Sequence, residues 1–158
     1  MHVPMDILAQ TAGIKLTHIP FTGAGPAVVA LLGGQIDAVS SGPATILQQV
    51  KAGKLRVLAH WGTTALSVLP DVPSLKDAGF NAEYAQWSGL FIPKDTPEPV
   101  AQRLRSAARV AAQDSRVKEV ILGAGSPVLY QDSPEFEKYV QADARRMVDV
   151  VKRIGKVE

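Results

Sequence analysis

The chain has 158 residues, 46% hydrophobic and 20% charged, with a net charge of +2. That is enough for one ordinary domain with a core of its own. So small a charge, with sparse aromatics and no basic stretch interleaved with them, excludes a nucleic-acid platform. The absence of cysteine excludes disulfides, thiolate zinc sites and cysteine nucleophiles.

The opening MHVPMDILAQ has no basic start, long apolar core or small-residue cleavage site, so it does not read as a signal peptide. No apolar run reaches the roughly 18 residues that span a bilayer. Pro4 to Ala12 reads as a short helix, with Ile7 and Leu8 on its apolar face and Gly13 as its stop.

Two strand–turn–helix units follow. Lys15 to Phe21 has a strand pattern and runs into the turn Thr22-Gly23-Ala24-Gly25, and Pro26 opens a helix. Gln35 to Ser40 is a second strand pattern, Ser41-Gly42 is the turn, and Pro43 opens a helix that stops at Gly53. Lys54 to Trp61 and Glu83 to Ile92 read as further strands, and Pro73 to Ala78 as a short helix ended by Gly79. Pro93 to Pro99 carries three prolines in seven residues and reads as a linker. Beyond it lie the helical patterns Val100 to Asp114 and Ser115 to Leu122. Ser126 to Tyr130 is a candidate short strand, and a long helix runs from Asp132 to about Ile154. Alternating strand and helix patterns predict an α/β fold with a parallel or mixed sheet.

Two helix N-termini at one sheet edge present free N–H groups and the positive end of the helix dipole, which suits an anion. The candidate residues are Thr22, Gly23, Ala24 and Gly25 in the first turn, and Ser40, Ser41 and Gly42 in the second. The first turn also admits a tight turn without ligand. It is not a dinucleotide fingerprint, because Val28 occupies the third glycine place and no acidic residue closes a following strand. Ser41 equally suits simple helix capping. Trp87 and Ser88, beside Gly89, read either as the wall of a ligand cleft or as core. His2, His18 and His60 are not at metal-ligand spacing, no G-x-S-x-G elbow occurs, and the arginine pairs read as solvated helix faces.

Four segments together resemble one family: HIPFTGAGPAVVALLGGQIDAV, LQQVKAGKLRVLA, LPDVPSLKDAGF and WSGLFIPKDTPEPV. They are similar to the Bug-type (tripartite tricarboxylate transporter) extracytoplasmic solute-binding receptors, and the likeness extends to the final helix at SPEFEKYV. The resemblance implies a periplasmic-binding-protein-like fold of type II, no enzymatic activity and no cofactor. It implies a small carboxylate ligand, membrane transporter subunits as partners, and a periplasmic location for the full-length protein; without a signal peptide, the chain as written would stay cytoplasmic. On this reading residues 1–92 are the second lobe with a mixed sheet that lacks its crossover strand. Residues 93–158 are a hinge linker and the C-terminal helices that normally complete the first lobe. Many relatives carry aspartate at the place of Ser41, so serine there favours plain carboxylates over amino acids.

The expected function is a truncated receptor for a di- or tricarboxylate, with weak binding because one lobe is absent. The alternative is an oligomeric interaction module derived from such a receptor. A strand edge left open and the apolar helix faces Val100/Leu104/Ala108/Ala111 and Val117/Val120/Ile121 predict a homo-oligomer.

Overall fold

A computed structural model describes residues 2–155 and contains six helices. These are α1 (His2–Ala12), α2 (Ala24–Leu32), α3 (Pro43–Lys51), α4 (Glu98–Gln113), α5 (Ser115–Gly123) and α6 (Glu135–Ile154). They pack as three pairs, α1 on α6, α2 on α3 and α4 on α5. Every helix expected from the sequence is present except the one at residues 73–78.

The expected α/β fold with its mixed sheet is overturned. Among the described residues there is no β-strand, only two isolated bridges: His60 with Ser74, parallel, and Leu66 with Leu69, antiparallel. The segments 15–21, 35–40 and 83–92, and most of 54–61, run without regular structure. Alternating apolar residues record a preference for extended backbone, but a strand exists only when a neighbour takes its N–H and C=O groups. Few such neighbours are supplied here. Tyr84 N–H donates to the Trp61 carbonyl at 3.2 Å, and His60 exchanges bonds with Pro73 and Leu75. The candidate strand at 126–130 is likewise unpaired.

Residues 54–60 keep the period of a strand without the sheet. Leu55, Val57 and Ala59 are half-buried, whereas Arg56 and Leu58 point to solvent. His60 ends the run buried against the turn at Ser74. Residues 75–79 form turns rather than a helix. The turn is closed reciprocally: Ser74 Oγ donates to Asp77 Oδ2 at 2.6 Å, and the Asp77 N–H donates back to Ser74 Oγ at 3.0 Å. This is a helix-start motif in which each residue satisfies the other, but the helix does not propagate past Gly79. The Ser74 hydroxyl, followed by its N–H, holds the Asp77 carboxyl below its usual range.

Helix boundaries follow local chemistry. Gly53, at φ 68°, stops α3 in the left-handed region, and the Lys54 N–H then bonds the Gln49 carbonyl. Asp114 caps α5 by accepting from the N–H groups of Arg116 and Val117 at 2.8 and 3.3 Å. Helix α6 has Glu135 and Glu137 in its first turn and Lys152 and Arg153 in its last, matching the dipole.

The buried core is small and dispersed. Pro4, Ala9 and Val150 lie on α1 and α6, Ala27, Val28 and Ala30 on α2, and Leu75 and Ala82 flank the Ser74 turn.

A polar latch joins α4 to the approach of α6. Arg105 Nε donates to Asp132 Oδ1 at 3.0 Å, Arg109 pairs with the other carboxylate oxygen, and Arg105 also reaches the Ser133 carbonyl at 2.7 Å. Arg109 first, then Arg105, hold the Asp132 carboxyl down to about 2 from 3.8. A carboxyl depressed on folding stabilises the fold above its unfolded value and loses that contribution as pH falls toward the folded one. Stability is therefore expected to decline between pH 3.8 and about 2. Thermal unfolding of Asp132→Asn across this window should show a shallower acid slope than the parent chain.

Candidate functional site

The two turns named from the sequence lie at the N-termini of α2 and α3, which pack on each other. Gly23 is the N-cap of α2 and Gly42 the N-cap of α3, and neither helix start receives a side-chain cap. Neither has an acidic residue in its first turn. Each of the three later helices has one there or as its cap: Glu98 in α4, Asp114 before α5, Glu135 and Glu137 in α6. The positive poles of α2 and α3 thus lack the intramolecular carboxylates that the later helices have.

The hydroxyls beside these poles are underused. Ser40 Oγ is shielded from solvent and has no hydrogen-bond partner among the described residues. Ser41 Oγ reaches only the Gly42 carbonyl, at 3.5 Å, the outer limit of a hydrogen bond. Thr22, Gly23, Ala24 and Gly25 are all exposed.

Three glycines here have no internal reason to be glycine. A Cβ added at Gly23, Gly25 or Gly42 would meet nothing within 4 Å, and none of the three is in the left-handed region. Gly125 is the opposite case. Its φ is 81°, and a Cβ would come within 2.6 Å of Pro43 Cβ and 2.8 Å of Val68 Cγ2. The loop after α5 therefore seats directly on the first residue of α3 and fixes where the Ser40–Gly42 turn stands.

Trp87 is committed elsewhere. Its Nε1 donates to Asp143 Oδ2 at 3.0 Å, and its ring meets Phe136 and Tyr139 edge-on at centroid distances of 5.5 and 6.1 Å. Gly89 permits close approach, but the approaching group is Phe136: a Cβ at Gly89 would lie 2.6 Å from Phe136 Cζ. Burial alone would raise the Asp143 carboxyl; the Trp87 N–H and the Arg146 guanidinium outweigh it and hold it below its usual range. Ser88 is exposed beside this cluster.

A cleft that the sequence reading missed lies between α1, residues 81–83 and α6. It has a volume of about 300 Å³ and is lined by Ile7, Asn81, Glu83, Arg146, Val150 and Arg153. Arg146 donates to the Glu83 carbonyl at 3.0 Å and to Asp143 at 2.9 Å. The same Arg146 read as a solvated helix face, because nothing in a single sequence links it to Glu83, 63 residues away. His2 and His18 also come together, stacked at 3.9 Å and 3° from parallel. Burial, then the neighbouring His2, lowers the His18 imidazole from 6.5. Among the described residues no three His, Asp or Glu side chains gather to hold a metal.

The sequence model of the "Tripartite tricarboxylate transporter family receptor" matches residues 1–156. The chain belongs to this family. A UPF0065 protein of Agrobacterium vitis is 31% identical over 154 residues, 95% of this chain and 44% of that protein. A solved periplasmic transporter is 34% identical, with a TM-score of 0.82 over 98% of this chain and 52% of its own. MatC of Rhodopseudomonas palustris, solved with bound malate, is 29% identical, with a TM-score of 0.78 over 94% of this chain and 52% of its own. The chain thus spans about half the length of the relatives it matches. The family is one of receptors rather than enzymes. No helix among the described residues is long and apolar enough to cross a membrane.

Two outcomes test this geometry. Gly125→Ala combines a left-handed alanine with overpacking against Pro43 and should cost about 2–4 kcal/mol in chemical denaturation. A lowered imidazole stabilises the fold fully above 6.5 and loses its contribution as pH falls through the folded value. His2→Ala should therefore raise the His18 midpoint toward 6.5, read by NMR titration of its ring protons.

Proposed function

We propose that this chain is a carboxylate-binding portion of a tripartite tricarboxylate receptor, working outside the cytoplasmic membrane with the transporter subunits of such a system. The ligand's carboxylate is held by the backbone N–H groups of Ala24 and Gly25 and by Ser41 and Gly42, with Ser40 and Thr22 donating hydroxyls. Trp87 and Ser88 have the smaller part. Trp87 already spends its N–H on Asp143, so it shapes the α6 side rather than donating to the ligand.

The observation that carries this reading is the trio of unneeded glycines. Glycine inside a helix costs about 0.5–1 kcal/mol relative to alanine, and Gly25 bears that cost with open space where its side chain would be. A residue that weakens its own helix without easing any internal contact is explained by something that comes close from outside. Bare helix poles and free hydroxyls define that something as an anion. The malate bound by MatC supports a small dicarboxylate. Serine at position 41, with no carboxylate to greet an amino group, supports a plain acid over an amino acid.

Enclosure is what makes small ligands bind tightly, and Thr22 to Gly25 are open to solvent. Malate is therefore expected to bind this chain in the millimolar range, about −4 kcal/mol. In an NMR titration the amide signals of Ala24, Gly25, Ser41 and Gly42 should move together. Gly25→Ala should stabilise the chain by about 0.5–1 kcal/mol and yet weaken malate binding. Shifts confined to other residues, or a Gly25→Ala variant that binds malate as the parent does, would sink the assignment.

A further inference from the structure

The chain has an accessible surface of 11465 Å². A compact monomer of 16.8 kDa exposes about 7,700 Å². About 3,800 Å² is therefore left bare beyond what the mass requires. Obligate dimers bury roughly 2,000–5,000 Å² counted over both partners together. An excess of this size on one partner alone exceeds what one face of an ordinary two-fold interface covers.

The distribution of the bare surface points the same way. Residues 13–26 are exposed throughout, with Leu16 at 47% and Ile19 at 51%. These positions differ in parity, so they lie on opposite faces of the extended backbone. Residues 85–95 are also exposed throughout, and Leu90 and Phe91, adjacent and therefore opposed, stand at 69% and 65%. Such segments need covering from both faces and along their unpaired backbone edges. A two-fold contact joins one patch to its own copy and leaves the second face open. The chain also superposes on only 52% of the solved periplasmic transporter, and the remainder of a fold is what ordinarily buries surface of this extent.

We propose that this bare surface is the docking face for the complementary half of the receptor fold, and that it captures that half even when supplied as a separate polypeptide. The two extended segments, 13–26 and 85–95, are the primary contacts. They combine apolar side chains on both faces with backbone groups that are free to pair. The homo-oligomer expected from the sequence competes for the same surface. The helix faces on which that expectation rested are exposed as anticipated, Val100 at 49% and Val120 at 72%, but the size of the surface favours the larger occupant.

The test is to produce the full chain together with the half of the periplasmic transporter that it does not cover, as two polypeptides. Gel filtration with light scattering gives the stoichiometry, and hydrogen exchange reports on both segments. The expected result is a one-to-one heterodimer with slowed exchange across residues 13–26 and 85–95. Leu16→Asp and Phe91→Asp, made separately at exposed positions outside the helices, should each weaken the complex tenfold or more while leaving the helical circular dichroism unchanged. A homodimer that protects the same segments and does not yield to the added half would overturn the proposal. So would a chain that stays alone with both segments exchanging freely, or two variants that bind as the parent does.

Discussion

The indole of Trp87 holds the last extended segment to the long helix, and much of the molecule's order follows from that contact. One hydrogen bond to Asp143 and two edge-on aromatic contacts, with Phe136 and Tyr139, fix a stretch of backbone that has almost no pairing of its own. Asp143 is fixed in turn by Arg146, which also takes the Glu83 carbonyl. The clamp therefore closes over five residues from one end of the segment to the second turn of α6 and beyond. Because α6 also packs on α1, the first and last helices are joined to residues 83–91 as one unit. Gly89 belongs to this clamp, since only a residue without a side chain lets Phe136 approach.

The helices divide by how their positive ends are neutralised. Those after residue 97 carry their own acids; α2 and α3 do not. In a chain whose composition includes 15 acidic residues, leaving two neighbouring poles bare while supplying the others is a division of labour. One set of helix starts supports the structure and the other stays available to a ligand. The Ser40 hydroxyl, shielded yet unpartnered, fits the second set. A buried hydroxyl without a bond costs about 1–3 kcal/mol, a cost that a bound anion would relieve.

What the sequence revealed and what it hid divide along a physical line. Helix positions were legible because a helix satisfies its backbone within itself, so prolines, glycines and Asp114 mark its ends locally. The family was legible from the four quoted segments. The strands were not, because Lys15 to Phe21 and Glu83 to Ile92 carry the right alternation but pairing depends on residues elsewhere. The helix read at Pro73 to Ala78 failed for a related reason: its capping pair forms, but Gly79 ends the turn before propagation begins. The glycines of the first two turns were legible as a site only in outline. It took the structure to separate Gly23, Gly25 and Gly42, which have space around them, from Gly125, which has none. The clamp at Trp87 was out of reach, since it joins residues 56 apart.

The bare extended segments have a consequence for the lifetime of the chain. Peptidases grip their substrates as single extended strands, reading side chains on alternate faces and bonding the backbone edge. Most internal sequences must unfold locally before they can be gripped in this way. Residues 14–21 and 85–92 already hold that shape, open along both faces, with Lys15 at the start of the first. Cleavage there needs little prior opening, so whatever covers these segments also determines how long the polypeptide survives among proteases.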